Sequence, residues 1–297
     1  TLVRFNILVV ITKKYLVIFI TYKGGFMLTS QEVAELYVEL GQKKANYSVL
    51  KLTLLAMLGG IMIGLASAGA KTVSATMDNP SIAKLLSGIV FPTGLAMVAI
   101  CGAELLSSSC LVILSVFSSK LSYAKLLKYW FWVFIGNILG SLVIAVIMYL
   151  SGQFSFFDSQ IALTTIKVAV KKVSLTPLEA VSLGILCNLL VCLAILMAVA
   201  GKSLADKVSA VYLPIMLFIL CGFEHCVANM YYIPAGLLAL QNPEYKALAI
   251  EKGLHIDKLS VMSFLFNNLL WVIVGNIIGG AVIIAGMYYL LYLRKKH

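Results

Sequence analysis

Charged residues are scarce in this chain of 297 residues, where Asp, Glu, Lys and Arg make up 12% of the sequence. Soluble domains carry about 25%. Hydrophobic residues account for 61%, and the mean hydropathy is +1.01. A chain of this composition has too little polar surface to cover itself in water. These values exclude an ordinary soluble protein and predict one that uses a lipid bilayer as its solvent.

Acidic residues are especially few, since 12 of them oppose 23 basic residues and leave a formal net charge of +11. A basic excess can indicate a nucleic-acid partner. Here, however, the Lys and Arg residues lie at the ends of apolar segments, where they anchor helices against lipid headgroups. We therefore expect a lipid bilayer as partner and no nucleic acid.

Polar loops contain none of the cysteines, although disulfide and zinc frameworks usually lie there. The six lie inside apolar stretches, at Cys101, Cys110, Cys187, Cys192, Cys221 and Cys226. We interpret them as reduced thiols that serve as small apolar residues.

A metal site is the competing interpretation, and it would make the chain an intramembrane metal-dependent hydrolase. Its candidate ligands are Cys221, Glu224, His225 and Cys226. The sequence shows no second ligand cluster to complete tetrahedral coordination. We therefore expect no metal, no cofactor and no enzymatic activity.

Long apolar segments are abundant, and six of them approach or exceed the ~20 residues that cross a bilayer. They cover residues 50–70, 91–119, 126–151, 177–200, 208–240 and 260–293. The second and fifth are too long and are interrupted by polar residues, so we predict that both are broken helices. The predicted fold class is an all-α membrane protein with six transmembrane helices.

The first 26 residues differ from the rest. Their apolar stretch, residues 7–22, is interrupted by Lys13-Lys14, so it is too short to span and is a poor signal peptide. An amphipathic stretch with Ser30 as its candidate N-cap follows Met27. We interpret residues 1–26 as a doubtful extension before a start at Met27, 27–49 as an amphipathic helix and 50–297 as a channel domain.

The distribution of lysines predicts the orientation. Six spans place both termini on one side, and from Met27 onward that side collects more Lys and Arg than the other. The positive-inside rule then favours cytoplasmic termini. We expect a multi-pass protein of the plasma (inner) membrane.

The sequence repeats itself in two places. Cys101-Gly102-Ala103-Glu104 matches Cys221-Gly222-Phe223-Glu224, and the run from Trp132 to Gly140 matches that from Trp271 to Gly279. Two matches in the same order, with three spans per half, predict an inverted repeat of about 50–151 and 177–293. Both later runs contain Gly-Asn-x-x-Gly, whose glycines favour close helix packing. We expect Asn137 and Asn276 to bond across to the broken spans.

Two of the acidic residues, Glu104 and Glu224, lie deep in apolar segments. A carboxylate in hydrocarbon is costly, so both must face the protein interior, where such residues are usually functional. A structural alternative is that each accepts hydrogen bonds from backbone N–H groups freed at a helix break. Ser107-Ser108-Ser109 and Asn229 mark the two breaks.

His225 is the one histidine inside a span, and its proton can move near neutral pH. Lys172 opens the fourth span after Lys171, and we interpret Lys171 as a lysine that reaches the membrane interface. Asn188 lies in the middle of that span, where packing and pore lining are both open interpretations.

The run Gly222-Phe223-Glu224-His225-Cys226-Val227-Ala228-Asn229-Met230 resembles the signature of the formate/nitrite transporter family. The run from Gly102 to Ser108 resembles it too, and the likeness extends from Met27 to the C-terminus. The resemblance implies an aquaporin-like fold of six helices, broken in the second and fifth. It also implies a homopentamer with one pore per protomer.

The resemblance also implies residue roles. The central histidine of the family falls on His225, its glutamate on Glu224, its vestibule lysine on Lys172, its pore asparagine on Asn188 and its threonine on Ser107. Its hydrophobic constrictions fall on Phe91, Leu95, Leu105, Leu106, Val191 and Phe218. Leu106-Ser107 stands where the family often has Phe-Thr, and Glu104 stands where several members have Asp. The replacement of Phe by Leu106 changes the shape of a constriction, so the identity of the substrate stays open.

We expect transport of a small anion of a weak acid, with formate first and nitrite, hydrosulfide or lactate-like acids as alternatives. Lys172 would attract the anion, and His225 with Ser107 and Asn188 would hold it. A proton from His225, or from water relayed through it, would neutralise the anion, because an apolar ring excludes a bare charge. A water or glycerol channel would need paired Asn-Pro-Ala motifs, and no Ala follows Asn79-Pro80 or Asn242-Pro243.

Overall fold

The computed structural model describes residues 5–11, 16–22 and 27–294. The first two segments form antiparallel strands, β1 (Phe5–Ile11) and β2 (Leu16–Tyr22). The rest of the predicted extension, 1–26, lies outside the described residues, and the proposal that it precedes a start at Met27 stays a prediction.

The predicted amphipathic helix is present as α1 (Ser30–Ala45). Its N-cap is Thr29, so the expectation that Ser30 caps it was wrong by one residue. The Thr29 hydroxyl accepts the backbone N–H of Glu32 at 3.3 Å, and the Thr29 N–H donates to the Glu32 carboxylate at 2.7 Å. This reciprocal pair is a capping box. The hydrogen bonds from the Thr29 backbone and side chain hold the pKa of Glu32 below its ordinary value.

Six helices are long and apolar enough to cross a membrane. They are α2 (Val49–Ser74), α3 (Pro80–Cys101), α5 (Tyr123–Leu150), α7 (Pro177–Ala200), α8 (Leu204–Cys221) and α11 (Ser263–Leu293). Two shorter apolar helices, α4 (Leu106–Phe117) and α9 (Cys226–Ala239), directly follow α3 and α8. The prediction of six spans with the second and fifth broken is therefore confirmed.

Two amphipathic or polar helices lie between the spans, α6 (Gln160–Val173) and α10 (Pro243–Glu251). Lys172 belongs to the last turn of α6, so the expectation that it opens the fourth span was wrong. That span begins at Pro177, because Thr176 and Glu179 form a capping box there.

The second span begins at Pro80 rather than at residue 91. Asn79 caps it, with a side-chain oxygen that accepts the N–H groups of Ser81 and Ile82 at 2.9 and 3.2 Å. Proline suits the first helical turn, where its missing N–H costs nothing. The helix is interrupted at Phe91, just before Pro92.

The two breaks have the same backbone geometry. Gly102 ends α3 and Gly222 ends α8, each with φ of 72°, in the left-handed region that favours glycine. Leu105 and His225 are then extended, with φ of −125° and −110°, and the next helix begins immediately after each. The sequence match therefore reflects a repeated local structure.

Helix α2 packs closely on α5, and α7 packs in the same way on α11. A Cβ added to Gly136 would lie 2.5 Å from the Cβ of Ala56, and one added to Gly279 would collide with the carbonyl oxygen of Ile185. No larger residue fits at these crossings, so the packing role predicted for the Gly-Asn-x-x-Gly runs is confirmed. Many large apolar side chains remain exposed on the outside, as a lipid-facing surface requires.

Candidate functional site

Asn137 joins three parts of the first half. Its Nδ2 donates to the carbonyl oxygens of Ala56 on α2 and of Glu104 in the break, both at 2.8 Å. Its Oδ1 accepts the backbone N–H of Leu106, the first residue of α4, at 2.9 Å. One buried amide thus satisfies both the loop and the start of the half-helix.

Asn276 does the same in the second half. Its Nδ2 donates to the carbonyl oxygens of Gly184 at 2.8 Å and Glu224 at 3.1 Å. Its Oδ1 accepts the N–H of Cys226, the first residue of α9, at 3.1 Å. One freed N–H group at each half-helix start is therefore bound by an asparagine. The structural alternative that assigned those N–H groups to the glutamate carboxylates was wrong.

The carboxylate of Glu104 is buried in a charge pair. Lys44 Nζ lies 3.0 Å from its Oε1, and the hydroxyl of Tyr129 donates to its Oε2 at 2.7 Å. The Tyr129 hydroxyl also lies 3.0 Å from that of Ser109. These partners compensate a charge that could not remain bare at this depth.

The carboxylate of Glu224 has a closely similar environment. Lys172 Nζ donates to its Oε1 at 2.8 Å, and Asn229 Nδ2 donates to its Oε2 at 2.7 Å. Asn268 lies 3.4 Å from Oε2, accepts a second N–H from Asn229 at 2.7 Å and donates to the Lys172 carbonyl at 2.9 Å. Glu224 and Asn229 therefore meet at the second break, where Lys172 and Asn268 from other helices join them.

The two lysines occupy equivalent places in the repeat. Lys44 lies four residues before Ser48, the N-cap of α2, and Lys172 lies four residues before Thr176, the N-cap of α7. Three spans separate the two caps, so the two charge pairs lie toward opposite faces of the membrane. The repeat therefore includes the amphipathic helix that precedes each first span.

Tyr129 and Asn268 are equivalent as well, since each lies three residues before the repeated tryptophan, Trp132 or Trp271. Sequence reasoning missed both of them and also missed Lys44. Extending the tryptophan alignment three residues backward would have placed polar residues at both positions. The lysines would have required alignment of the two amphipathic helices from their following caps.

His225 is buried at the N-terminus of α9 and bonded at both ring nitrogens. Its Nδ1 accepts the backbone N–H of Ala228 at 3.2 Å, which makes His225 the N-cap. Its Nε2 lies 2.7 Å from the Ser107 hydroxyl oxygen. Because Nδ1 accepts, this network assigns the proton of the neutral ring to Nε2, which donates to Ser107. The hydroxyl proton of Ser107 is then available to another acceptor.

Asn188 is fully buried but does not contact His225 through a hydrogen bond. Its Nδ2 donates to the carbonyl oxygens of Ser107 at 3.0 Å and Asn276 at 2.6 Å. Its Oδ1 has no hydrogen-bond partner among the described residues. Both N–H groups are thus used for packing between α7, α4 and α11, so Asn188 offers an acceptor and no donor.

The six apolar residues assigned to constrictions are all buried. Phe91 and Phe218 pack edge to face, with ring centroids 5.4 Å apart, and Phe218 lies 5.9 Å from the His225 ring. The remaining four are buried in the same apolar core: Leu95, Leu105, Leu106 and Val191. His225 and Ser107 are 3% and 0% exposed, so the centre is closed to bulk water.

The alternative metal site is not assembled. Within residues 27–294, no group of three or more His, Cys, Asp or Glu side chains could hold a metal ion. Cys221 ends α8 with an exposed side chain, whereas Cys226 is buried in α9. Residues 222–225 are not helical, so Cys221 and His225 do not share one helical face.

Six apolar spans in two related halves, with broken helices that meet at buried polar residues, define a membrane transport protein. The model of the family described as Formate/nitrite transporter matches residues 31–290, and this chain belongs to that family.

Several relatives are similar along almost their whole length. The chain is 37% identical over 275 residues to the formate channel FocA of Escherichia coli (strain K12), covering 91% of this chain and 96% of that one. It is 33% identical to the formate channel FocB of the same organism, covering 90% and 96%. It is 29% identical to a probable formate transporter of Methanothermobacter thermautotrophicus, covering 92% and 100%.

Two solved structures of channels are also similar to this chain. A pentameric formate channel with formate bound is 36% identical to this chain, and the two superpose with a TM-score of 0.73. The superposition covers 83% of this chain and 98% of that one. An FNT family ion channel is 26% identical, with a TM-score of 0.75 and coverage of 87% and 98%. The predicted family, the helical membrane fold and a transport function in place of an enzymatic one are therefore confirmed.

Proposed function

We propose that this chain is a channel for the small monovalent anion of a weak acid, with formate as the main substrate. The names of its relatives support formate, and the pentameric structural relative supports a homopentamer. The lysine distribution supports a plasma (inner) membrane location with cytoplasmic termini. Nitrite and hydrosulfide are alternative substrates, because Leu106-Ser107 alters the constriction of the family.

The observation that carries this proposal is the 2.7 Å bond between His225 Nε2 and the hydroxyl of Ser107. The neutral ring donates to Ser107 and orients it, and the hydroxyl proton of Ser107 is then offered to the anion. A carboxylate or nitrite oxygen accepts such a proton well. The pair joins the N-terminal ends of the two half-helices, where the candidate pore crosses from one half to the other.

The apolar residues beside this pair select for a neutral species. Phe91 and Phe218 offer no hydrogen bond, so a bare anion between them would lose its hydration without compensation. Protonation removes that penalty, and the acid can ionise again beyond the ring. The free Oδ1 of Asn188 suits this scheme, because it can accept the hydroxyl proton of the neutral acid but repels the anion.

The proton can come from His225 or from water relayed through it. A cationic ring carries a proton on both nitrogens, so His225 must give up its bond from Ala228 before it can become charged. Proton transfer from the ring is therefore coupled to a change at the start of α9. Relay of a water proton through the Ser107 hydroxyl, which the Nε2–H group orients, needs no such change, and the water leaves as hydroxide.

Lys172 has a more limited role than the sequence predicted. Its ammonium lies 2.8 Å from Glu224, so the pair is nearly neutral when seen from a distance. We assign Lys172 to local binding in the vestibule and to stabilisation of the second break. Glu224, in turn, holds Lys172 and Asn229 in place next to His225.

Uptake into proteoliposomes tests the proposal. Wild-type protein should take up radiolabelled formate faster than labelled nitrite or sulfide, at both pH 6 and pH 8. His225→Asn should change the magnitude and pH profile of formate uptake, whereas the loop variant His255→Asn should match wild type. Absence of uptake of all three anions would overturn the proposed function. An unchanged profile in His225→Asn would remove the proton role alone.

A further inference from the structure

Lys71 is a half-buried lysine near the end of α2 that the proposed mechanism does not use. Its ammonium lies over the ring of Tyr232, 5.3 Å from the centroid. The charged groups that act on it are Lys172, Lys84, Lys171 and Lys167. Across the described part of the chain, it has no carboxylate within ion-pair distance. Its charge is therefore uncompensated and surrounded by like charges.

Two of the neighbouring lysines have another role. Lys172 is paired with Glu224, although its ammonium also lies 5.4 Å from the Tyr232 ring. Lys84 Nζ donates to the carbonyl oxygen of Ile219 at 3.3 Å, in the last turn of α8, where the helix dipole favours a cation. Of the two ammonium groups that lie over the Tyr232 ring, that of Lys71 has no partner of opposite charge among the described residues.

Two hydroxyl groups lie beside Lys71. Tyr232 is buried on α9 and acts as a platform for the ammonium by cation–π attraction. Ser67 lies one helical turn before Lys71, on the same face of α2. It is fully buried, is close to Tyr232, and its hydroxyl has no hydrogen-bond partner among the described residues. An unpartnered buried hydroxyl next to an uncompensated ammonium indicates a ligand that is both anionic and an acceptor.

The position of this cluster relates it to the candidate pore. Tyr232 lies seven residues after His225, which is two helical turns or about 10 Å along α9. The cluster is on the membrane side that carries Lys172. In the other half, the positions equivalent to Lys71 and Ser67 are Val199 and Ile195, so that half has no counterpart.

We propose that Lys71, Ser67 and Tyr232, next to Lys172, form an outer binding site for a small monovalent anion. An anion there would pair with the Lys71 ammonium in a medium of low dielectric, where the attraction is strong. The two hydroxyls would donate to its oxygen atoms. Its place on the substrate path rests on the proposed function, whereas anion binding at the site does not. The site supplies the net positive charge that the neutral Lys172–Glu224 pair lacks.

The initial rate of labelled formate flux into and out of proteoliposomes with uniformly oriented protein tests the path. Formate is titrated from one side at constant ionic strength, using wild type, Lys71→Met, Lys71→Arg and Lys171→Met. Lys171 is exposed and lies beside Lys172. Because Lys171→Met removes the same charge as Lys71→Met, it is the control for the general surface potential. Lys71→Met should raise the half-saturating formate concentration roughly tenfold from the Lys172 side, in keeping with loss of one charge-assisted contact. Lys71→Arg and Lys171→Met should stay within about twofold of wild type.

Equal shifts of the half-saturating formate concentration in Lys71→Met and Lys171→Met would overturn the site, because surface potential alone would then explain them. So would a shift in Lys71→Met that is equal from the two sides of the membrane. Pentamer elution and melting temperature establish that each variant is folded. Saturation-transfer NMR of the formate proton provides a readout that does not depend on flux. Lys71→Met should reduce the transfer and Tyr232→Phe should reduce it less, since the ring remains.

If wild type carries no formate flux, the proposed function fails while this NMR comparison still tests the site. If Lys71→Met and Lys171→Met show the same saturation transfer as wild type, the site is wrong whatever the channel conducts.

Discussion

The two halves of this protein share their framework and differ in their chemistry. Both contain a left-handed glycine, a buried glutamate with a lysine, and an asparagine that binds the start of the half-helix. They differ where His225 stands opposite Leu105 and where Asn188 stands opposite Gly60. The comparison teaches that repeated polar residues maintain the fold, whereas the residues without a counterpart include those we assign to the anion at the centre of the pore.

The largest expected effect tests the shared framework. Asn137→Leu and Asn276→Leu each remove three buried hydrogen bonds and leave backbone groups unsatisfied. Each should lower the free energy of unfolding by roughly 3–5 kcal/mol, measured by denaturation in detergent. A large loss in one variant with almost none in the other would break the equivalence of the halves.

A slightly smaller effect sharpens the comparison between the charge pairs. Glu104→Gln and Glu224→Gln each leave a lysine without its counter-charge. The side chain of Lys172 is 12% exposed and that of Lys44 is 26% exposed, so the second pair is less accessible to water. Glu224→Gln should cost about 3 kcal/mol and Glu104→Gln less, because water solvates the orphaned Lys44 better. The reverse order in melting experiments would contradict this account.

The next largest effect on the free energy of unfolding is expected at His225, where the first half has Leu105 instead. His225→Leu copies the residue of the first half and removes the acceptor for the Ala228 N–H, at a cost of about 1 kcal/mol. His225→Asn keeps a cap acceptor near the position of Nδ1 and should be closer to wild type in unfolding free energy. Equal destabilisation by the two substitutions would show that the cap contributes nothing.

The smallest effect is at the N-terminus of α1. Thr29→Ala removes the capping box, so amide hydrogen exchange in the first turn of α1 should accelerate while the spans keep their protection. The folded pKa of Glu32 is lowered, so its contribution is fully present above the ordinary carboxylate pKa and is lost as pH falls through the folded value. Exchange in wild type should thus approach that of the variant at acidic pH. A pH-independent difference would rule out the carboxylate.

Much of the fold could be predicted from the sequence because lipid imposes length and composition on each span. The breaks at Gly102 and Gly222 were also visible, since their local geometry depends on neighbouring residues. Lys44 was missed because the two amphipathic helices have little sequence in common apart from their paired lysines. The direction of Asn188 could not be predicted either, because pattern alone does not show which helix receives its N–H groups.

The structure makes its most specific claim about His225, a neutral cap with its proton on Nε2 and bound to Ser107. The direct measurement is ¹⁵N NMR of histidine-labelled protein at neutral pH, with His255 and His297 replaced so that one signal pair remains. We predict an unprotonated Nδ1 and a protonated Nε2, with the Nε2 signal moved by Ser107→Ala. A protonated Nδ1 at neutral pH, in either the other tautomer or the cation, would contradict the account.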